Sequence, residues 1–371
     1  REHGTKLVEE VLARKNLILL VDTSGAYIPG HGTPTILLFV RNQPPTGTTF
    51  TAVLGKKGEP SSLNDGSKGK VWRSILQGWN KPGFNSTFVS TESAKRKVFS
   101  IHPWSLRGGG SLQLQENIEG KSKISLDSIS KDMGFGAVTR ADDMFLVGLD
   151  TIQRNQIKPQ QQRPFVAGEN VRNWGVFDPV TAIWPYKPDT LKAYSGGSDL
   201  FLHRWKVILG ERVAYGKSQI ERKLEWFEYS MFFTNRFQTP LTITLAFVAT
   251  HNHFVLDRGG KVFNRTAPIV KLPKNSTEDD HLALLGPLNS SAACFWMKQV
   301  YFCKGYGASG AGARRTKVPW EDFWEFDSTK LARFPLPPNR QATLPWAREL
   351  DRLGHALSLI HISEPTRRYE I

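Results

Sequence analysis

Two short apolar runs flank a glycine-rich loop near the start of the chain, and this arrangement constrains the fold more than any other feature. The first run is Asn16-Leu-Ile-Leu-Leu-Val21, the second is Thr35-Ile-Leu-Leu-Phe-Val40, and residues 22–34 connect them. Short apolar runs bounded by glycine and proline favour buried strands over helices. Glycine permits positive φ angles and close approach of the backbone to a ligand. The loop is therefore a candidate pocket wall, and a plain hairpin connection is the alternative.

Composition and charge narrow the classes of function. The chain has 371 residues and a formal net charge of +15 at pH 7. Such a surplus of positive charge favours a polyanionic partner, with nucleic acid ahead of an anionic membrane. The two cysteines, Cys294 and Cys303, are too few for a disulfide framework and lack the paired spacing of a zinc site. So few cysteines fit a reducing cytoplasm, which is the expected location. The sequence shows neither a bilayer-spanning apolar run nor a secretion signal.

The motifs around the glycine loop resemble a known family. Residues 1–12 have the spacing of an amphipathic helix, and residues 21–39 contain the run Asp-Thr-Ser-Gly-Ala-Tyr-Ile-Pro-Gly-His-Gly-Thr-Pro. Together they resemble the late motifs of adenine-N6 DNA methyltransferases, in particular the PglX type of BREX phage-defence systems. Residues 282–298, 318–326 and 330–336 resemble the segments that close the specificity region in this family.

The resemblance implies an α/β fold, in which the terminal helix and strands of a Rossmann-like methyltransferase sheet precede a mixed α+β target-recognition domain. In this class, the end of the sheet carries a strand that runs against the others. The implied segments are a catalytic-domain remnant (1–45), a loop-rich basic and aromatic insertion (46–110), the target-recognition domain with C-terminal helices (111–352) and a tail resembling translated adapter sequence (356–371). Residues 41–70 are predicted as loop, because proline and glycine punctuate them.

The chemistry that the resemblance implies is only partly present. Adenine-N6 methylation needs a turn that holds S-adenosylmethionine, an Asn/Asp-Pro-Pro-Tyr loop that accepts hydrogen bonds from the target amine, and a pocket for the flipped base. The sequence shows neither the Pro-Pro-Tyr loop nor a convincing cofactor turn. In the family both precede the helix that opens this chain. We therefore expect an upstream part to bind S-adenosylmethionine and this fragment alone to be inactive.

The glycine loop supplies the expected base-pocket residues, which are Tyr27, Gly30, His31, Gly32 and Thr33. An aromatic residue in this loop helps to hold the flipped adenine in related enzymes, and its position makes Tyr27 the candidate. Stacking of an aromatic ring on a base contributes about 1–3 kcal/mol. The alternative for Tyr27 is packing beneath the sheet. The alternative for His31, as a phosphate contact, is that it only closes the loop.

Further candidates for contact with double-stranded DNA lie in the predicted recognition domain. Arg172, in a Gly-x-x-Val-Arg-x-Trp turn, is a candidate for pairing with phosphate or guanine, or alternatively for bridging to Glu169. A glycine-rich basic loop at residues 305–317 is either a backbone contact or an exposed linker. The complete predicted DNA-binding set is Arg172, Trp174, Tyr186, Lys187, Arg212, Lys217, Arg314, Arg315 and Lys317. Tyr215 lies among basic residues between Arg212 and Lys223 and is not part of this set.

Two motifs are set aside, and two other classes of function stay open. His251-Asn-His253 is a tripeptide, whereas the HNH nuclease name refers to residues spread over a ββα unit, so we expect no metal there. Gly66-Ser-Lys-Gly-Lys70 lacks the spacing of a phosphate-binding loop. The alternatives are a non-enzymatic DNA-binding specificity subunit, which would carry no methyltransferase strands, and a restriction–methylation fusion. The resemblance alone implies other phage-defence proteins as partners, and we expect no membrane partner.

Overall fold

The chain forms two compact units, each assembled from two separate segments. The computed structural model describes residues 4–28, 35–60, 65–102, 104–195, 201–305 and 322–363. Unit 1 combines residues 1–122 with 295–325, and unit 2 combines residues 123–294 with 326–371. These units divide the chain differently from the four segments implied by the resemblance, and that division stays a prediction.

Helices and strands alternate along the first segment of unit 1. The chain opens with a helical stretch, in which π-helical Lys6–Val11 and 3-10 helical Leu12–Arg14 occupy the predicted helix. The elements that follow are β1 (Asn16–Asp22), β2 (Ile36–Arg41), β3 (Thr49–Gly55), α1 (Lys70–Gly78), β4 (Val89–Lys95), α2 (Arg96–Phe99) and α3 (Ser111–Lys121).

A four-stranded sheet in the order β2-β1-β3-β4 forms the centre of unit 1. β1 and β3 run parallel, whereas β2 runs antiparallel to β1 and β4 runs antiparallel to β3. Leu20 packs into one apolar cluster, and its neighbours Leu19 and Val21 pack into another. β1 is thus covered on both faces, which explains why its sequence is apolar throughout rather than alternating. The resemblance implies a strand that runs against the others, and both edge strands, β2 and β4, run antiparallel to their neighbours.

The loop predicted for residues 41–70 is wrong over Thr49–Gly55, because this segment is β3. Ala52, Val53 and Leu54 are fully buried, and the strand pairs with β1 in parallel. The glycines and prolines on either side of this strand led to the loop prediction. The strand pairs with β1, which lies about thirty residues earlier in the sequence. Parallel pairing of this kind depends on contacts that local sequence does not encode.

Unit 2 is a mixed arrangement of many short elements. Its strands are β5 (Asp132–Gly134), β6 (Ala137–Val138), β7 (Leu146–Val147), β8 (Gln162–Val166), β9 (Val171–Arg172), β10 (Gly175–Val176), β11 (Val180–Ile183), β12 (Val213–Ala214), β13 (Lys217–Ser218), β14 (Met231–Phe232), β15 (Thr242–Leu245), β16 (Val248–Ala249), β17 (Phe254–Asp257), β18 (Val262–Phe263) and β19 (Ile269–Lys271). Its helices in this segment are α4 (Asp142–Phe145), α5 (Leu149–Arg154), α6 (Lys206–Gly210) and α7 (Glu278–Leu288). The chain continues with α8 (Ser291–Val300), β20 (Phe302–Gly305), β21 (Phe323–Glu325), α9 (Ser328–Leu331) and α10 (Leu344–Ser363).

Two four-stranded sheets organise unit 2. One has the order β18-β8-β11-β7 and the other has the order β17-β15-β19-β5. The sequence of residues 254–263 predicts a hairpin, but β17 pairs with β15 and β18 pairs with β8, so this prediction is wrong. The turn at residues 257–260 instead carries the chain from one sheet to the other. The predicted α/β class is confirmed by the mixture of helices and sheets. Within the described segments, no helix has both the length and the apolar content that a membrane span requires.

Candidate functional site

The carboxyl ends of the parallel strands β1 and β3 meet at one edge of the unit 1 sheet. Asp22, the last residue of β1, is buried. Its carboxylate accepts hydrogen bonds from the backbone N–H of Ser24 at 2.9 Å and of Gly55 at 3.2 Å, and so joins the ends of both strands. Ligands of open α/β sheets bind outside the carboxyl ends of the strands. This edge is therefore a candidate site on geometry alone.

The backbone that follows β1 lies against the loop that follows β3. The Glu59 N–H donates to the Gly25 carbonyl at 2.8 Å, and a Cβ added to Gly25 would lie 3.1 Å from the Gly58 Cα. The indole Nε1 of Trp72 donates to the Tyr27 carbonyl at 3.0 Å. α1 thus fixes the backbone of Tyr27, while the Tyr27 side chain is half-buried. A partly exposed ring on an anchored backbone suits the predicted contact with a base, which stays a prediction.

Basic side chains follow β3 and open α1. The Glu59 carboxylate accepts hydrogen bonds from the N–H groups of Lys70 and Val71, each at 3.0 Å, and so caps this helix with a negative charge of the chain itself. Sequence reasoning did not select these cations, because it placed them in a flexible loop rather than beyond a strand. The exposed members of the group are Lys56, Lys57, Lys68, Lys70 and Arg73.

Seven predicted site residues lie outside the described part of the chain. They are Gly30, His31, Gly32, Thr33, Arg314, Arg315 and Lys317. The two ends of the glycine loop are described and are joined to each other. The Thr23 hydroxyl donates to the Thr35 carbonyl at 2.8 Å, and the Thr23 N–H donates to the same oxygen at 3.1 Å. The loop therefore leaves the sheet and returns to it at one point.

Arg172 is the last residue of β9, and Trp174 lies in the turn between β9 and β10. The exposed Arg172 side chain donates to the Val171 carbonyl at 2.8 Å. No ion pair joins it to Glu169 within the part of the chain that the structure describes, so its guanidinium is accessible to a phosphate. Trp174 has a positive φ of 68°, and a Cβ on Gly354 would lie 2.5 Å from its carbonyl oxygen. Trp174 is thus held against α10.

Two histidines lie next to this turn. The ring centroids of His251 and His253 are 4.1 Å apart, and the His253 Nδ1 lies 2.6 Å from the Asn173 Oδ1. Burial, and then the charges of His251 and Arg172, lower the pKa of His253 to about 4, so this ring is neutral at pH 7. Among the described residues, no group of three or more His, Cys, Asp or Glu side chains is arranged to hold a metal ion.

Tyr186, a predicted DNA contact, lies in the core of unit 2. Its hydroxyl accepts a hydrogen bond from the Tyr229 N–H at 2.9 Å, and its ring stacks on Phe232 with centroids 4.1 Å apart. Burial holds the pKa of the Tyr186 hydroxyl well above its usual range. A tyrosine at a strand end has the same sequence signature whether its ring faces the core or a partner. The structure therefore argues against Tyr186 as a DNA contact.

Arg212, also a predicted DNA contact, is buried as well. Its guanidinium donates to the carbonyls of Leu209 at 2.8 Å, Trp226 at 2.9 Å and Glu228 at 2.7 Å, and also to the carbonyl of Thr139. Burial lowers the pKa of Arg212 to about 10, which leaves the side chain charged at neutral pH. The charge holds separate chain segments together and cannot reach DNA in this conformation. The structure argues against this prediction too.

Lys187 and Lys217 are exposed, as a DNA contact requires. Lys217 lies in β13, which pairs with β12 through Ala214 opposite Lys217. The same hairpin exposes Tyr215, which sequence reasoning noted among basic residues but did not select. The signal available in the sequence was the dipeptide Tyr215-Gly216, since glycine in a two-residue connection marks a tight hairpin turn.

Nearly the whole of this chain is similar to a known protein. No protein-family model matches the chain. The adenine-specific methyltransferase PglX of Streptomyces coelicolor (strain ATCC BAA-471 / A3(2) / M145) is 37% identical to this chain. The similarity covers 96% of this chain and 30% of PglX.

Two solved structures resemble the chain more distantly. The type IIG restriction endonuclease BpuSI is 11% identical with a TM-score of 0.43, over 94% of this chain and 40% of that chain. The type IIL restriction-modification enzyme MmeI in complex with DNA is 10% identical with a TM-score of 0.45, over 98% of this chain and 41% of that chain.

The similarity to PglX extends over nearly the whole of this chain, although the chain spans only 30% of the length of PglX. It therefore includes both the residues around the glycine loop and the segments near residue 300 that carry the resemblance in the sequence. The chain is similar to a segment of the adenine-specific methyltransferase PglX, and the resemblance predicted from its motifs is confirmed.

Proposed function

We propose that this chain is part of a site-specific DNA methyltransferase of a BREX-type phage-defence system, which transfers a methyl group from S-adenosylmethionine to adenine N6. In this proposal unit 1 supplies one wall of the base pocket, and unit 2 binds duplex DNA in the recognition step. The cofactor and the Pro-Pro-Tyr loop belong to another part of the parent protein, so the chain alone is inactive. The parent acts in the cytoplasm, with other proteins of the defence system as partners. The identity of 37% to PglX supports this assignment.

The open edge of the unit 1 sheet is the observation that carries the proposal. β2 lies at one of the two edges of this sheet as described, and its Leu37 and Phe39 are 42% and 51% exposed. A free apolar edge of this kind promotes association between chains, and soluble proteins normally protect it. In the parent methyltransferase, we expect a further strand to pair with β2 and to cover these side chains. A non-enzymatic specificity subunit gives no reason for such an edge.

The position of the glycine loop also supports the proposal that unit 1 forms one wall of a base pocket. The loop leaves β1 at Asp22 and re-enters the sheet at Thr35, so it borders the carboxyl edge where β1 and β3 end. Tyr27 lies in this loop with its backbone fixed by Trp72. A flipped base needs an aromatic or apolar face to stack on, together with an ordered backbone that holds the face in place. Tyr27 meets both requirements.

Methylation by the complete parent protein tests the proposal. We expect Tyr27→Ala to lower kcat/KM for adenine methylation by about 5- to 100-fold, as the loss of one base-stacking contact predicts. Tyr27→Phe keeps the ring and should retain most of the activity. Trp79→Ala, which removes an exposed aromatic ring elsewhere in unit 1, is the control and should have no effect. A parent that methylates no adenine would refute the function, and an unaffected Tyr27→Ala would assign Tyr27 to packing.

The open edge allows a second test. Phe39→Asp should reduce both methylation and melting temperature in the complete protein, because a charge would be buried against the added strand. In the chain described here the same side chain is exposed, so the substitution should leave the melting temperature nearly unchanged and reduce aggregation. An equal effect in both proteins would contradict the sheet extension.

Binding to DNA tests the role of unit 2. The chain should bind duplex DNA with an affinity that falls steeply as salt rises, since basic side chains displace counterions from phosphates. Absent or salt-insensitive binding would contradict a recognition function.

A further inference from the structure

The β12–β13 hairpin carries a tyrosine at the tip of a strained turn. Ala214 pairs with Lys217, which leaves Tyr215 and Gly216 as a two-residue connection with φ angles of 54° and 75°. Two successive positive φ angles are typical of a type I′ turn, in which Asn-Gly is the favoured pair. A bulky aromatic residue at the first position destabilises the turn.

Few contacts within the described chain stabilise the Tyr215 side chain. It is 75% exposed. Its hydroxyl lies 3.7 Å from the Met231 Sδ, and the Arg222 guanidinium lies 6.0 Å from the ring centroid, so both contacts are weak. Backbone strain that is not offset by side-chain packing is found mainly at functional sites. The conformation of Tyr215 therefore indicates a contact outside this chain.

Two basic residues beside the hairpin share the unusual backbone conformation. Arg140 has a φ of 54°, and its exposed guanidinium donates to the carbonyl of Val213 at the start of β12, at 2.8 Å. Lys223 has a φ of 59° and is exposed in the turn that follows β13. Seven non-glycine residues of the described chain have positive φ, and Arg140, Tyr215 and Lys223 are three of them. Strain is thus concentrated around one hairpin.

The surroundings of the hairpin combine positive charge with exposed apolar surface. Gly210, at the end of α6, lies close to the turn after β13, because a Cβ at Gly210 would be 3.7 Å from the Ile220 Cδ1. The Glu221 carboxylate accepts a hydrogen bond from the Ser218 N–H at 2.6 Å and so is engaged within the turn. The exposed basic residues are Arg140, Arg204, Lys206, Lys217 and Lys223; the exposed acidic ones are Glu211, Glu221 and Glu225; the exposed apolar ones are Val207, Ile208, Val213 and Ile220.

We propose that the β12–β13 hairpin inserts its tip into a groove of duplex DNA. The Tyr215 ring contacts the bases or deoxyribose, and Arg140, Lys217 and Lys223 contact the flanking phosphates. Charge complementarity selects the polyanion, and an exposed aromatic tip with apolar neighbours suits the less polar floor of a groove better than a phosphate surface. The major groove admits a two-stranded β-ribbon of this kind. The inference rests on the DNA-binding role proposed for unit 2 and names the element that performs it.

Substitution of Tyr215 separates binding from folding. Tyr215→Asn creates the residue pair that a type I′ turn prefers, so we expect a higher melting temperature for the full chain. The same change should weaken binding to a labelled mixed-sequence DNA duplex about 5- to 50-fold, because the apolar contact of the ring with the groove is lost. Tyr215→Phe should bind like the unmodified chain. Trp346→Ala is the matched control, since Trp346 is a 73% exposed aromatic residue of the same unit and should not affect binding.

Salt dependence separates the ring from the charges. Lys217→Ala and Lys223→Ala should each reduce the slope of log affinity against log salt concentration by about one, whereas Tyr215→Asn should leave that slope unchanged. Lys274→Ala, at an exposed lysine elsewhere in unit 2, should preserve the slope and serves as the control.

The outcomes distinguish this inference from the function on which it rests. If the unmodified chain binds DNA in a salt-dependent way and Tyr215→Asn binds equally well, the hairpin inference is overturned and the DNA-binding role stands. The exposed surface would then belong to a protein contact. If Tyr215→Asn lowers the melting temperature, the ring is a packing element, and the inference is also overturned. If the unmodified chain binds no duplex DNA, both proposals fail.

Discussion

Replacing Arg212 by methionine should strongly destabilise unit 2 without changing the affinity of the folded chain for DNA. The guanidinium is buried and donates to backbone carbonyls at positions 139, 209, 226 and 228. Methionine occupies a similar apolar volume but has no donor, so all four carbonyl groups lose the bond from the guanidinium, and the Glu228 carbonyl keeps its bond from the Gln219 side-chain amide at 3.0 Å. Buried carbonyl groups without hydrogen bonds destabilise the folded state.

The size of the effect follows from two opposing contributions. A hydrogen bond from a charged donor stabilises the folded state by about 1.5–3 kcal/mol, so the loss of this set is large. Burial of the charge works against folding, as the lowered pKa of about 10 for Arg212 shows, and methionine removes that penalty. We expect a net loss of about 3–5 kcal/mol, similar to other cases in which one partner of a buried polar group is removed. For a unit of this size, such a loss lowers the melting temperature by roughly 6–20 °C.

Urea unfolding and DNA binding, measured on the same variants, test this prediction. Arg212→Lys keeps the charge, but a single ammonium group cannot reproduce the planar fork of donors, so most of the loss should persist. Amide exchange should accelerate around residues 209–228 in both variants. The reasoning is refuted if Arg212→Met unfolds at the same urea concentration as the unmodified chain while binding DNA more weakly, since the guanidinium would then contact DNA.

Three further predictions concern stability. Gly354→Ala should lower the free energy of unfolding by about 1–3 kcal/mol, because the new Cβ would lie 2.5 Å from the Trp174 carbonyl oxygen; the urea midpoint measures this. Between pH 6.5 and 4, acidification should cost up to about 3 kcal/mol through His253, since its pKa is lowered to about 4 and only the unfolded state binds the proton in this range; comparison with His253→Gln isolates the effect. Glu59→Gln should cost about 1 kcal/mol and accelerate amide exchange in the first turn of α1, where the carboxylate caps two N–H groups.

Each of these predictions has a control or an excluding result. Gly120→Ala is the matched control for Gly354→Ala, because a Cβ at Gly120 meets nothing within 4 Å, and it should stabilise α3 by up to about 1 kcal/mol. An equal pH dependence of unfolding with and without His253 would show that this ring is not held neutral. Unchanged exchange at the start of α1 would show that Glu59 is not its cap.

Local sequence predicts an element well when the contacts that stabilise it are visible nearby. β1 and β2 were predicted as buried strands because their apolar runs are bounded by glycine and proline. Both strands are found, but only β1 is buried, and the predicted burial of β2 is wrong. β3 was missed because it depends on pairing with β1 across about thirty residues of chain. β17 and β18 were predicted as one hairpin, because the residues between them are typical of a turn. In the structure β17 pairs with β15 and β18 pairs with β8.

Residue types predict which side chains form the site less well than sequence patterns predict the fold. Tyr186 and Arg212 have the residue types of a DNA-binding surface, but both are buried, and the direction of a side chain depends on packing that the local sequence does not specify. The loop that carries Tyr27 was selected from the resemblance, and it begins at the carboxyl end of β1. Its role in a base pocket stays a prediction. Tyr215 was noted but not selected, since its unusual φ becomes visible only in three dimensions.

The division of each unit into two chain segments limits how such proteins can exchange parts. The boundaries fall after residues 122, 294 and 325, and the second of them lies inside α8. Any single recombination crossover within the chain would therefore leave at least one unit with residues from both parents. Transfer of a complete unit 2 requires residues 123–294 and 326–371 to come from the same donor. An engineered chimera must also preserve the packing of α8, because its two halves would come from different parents.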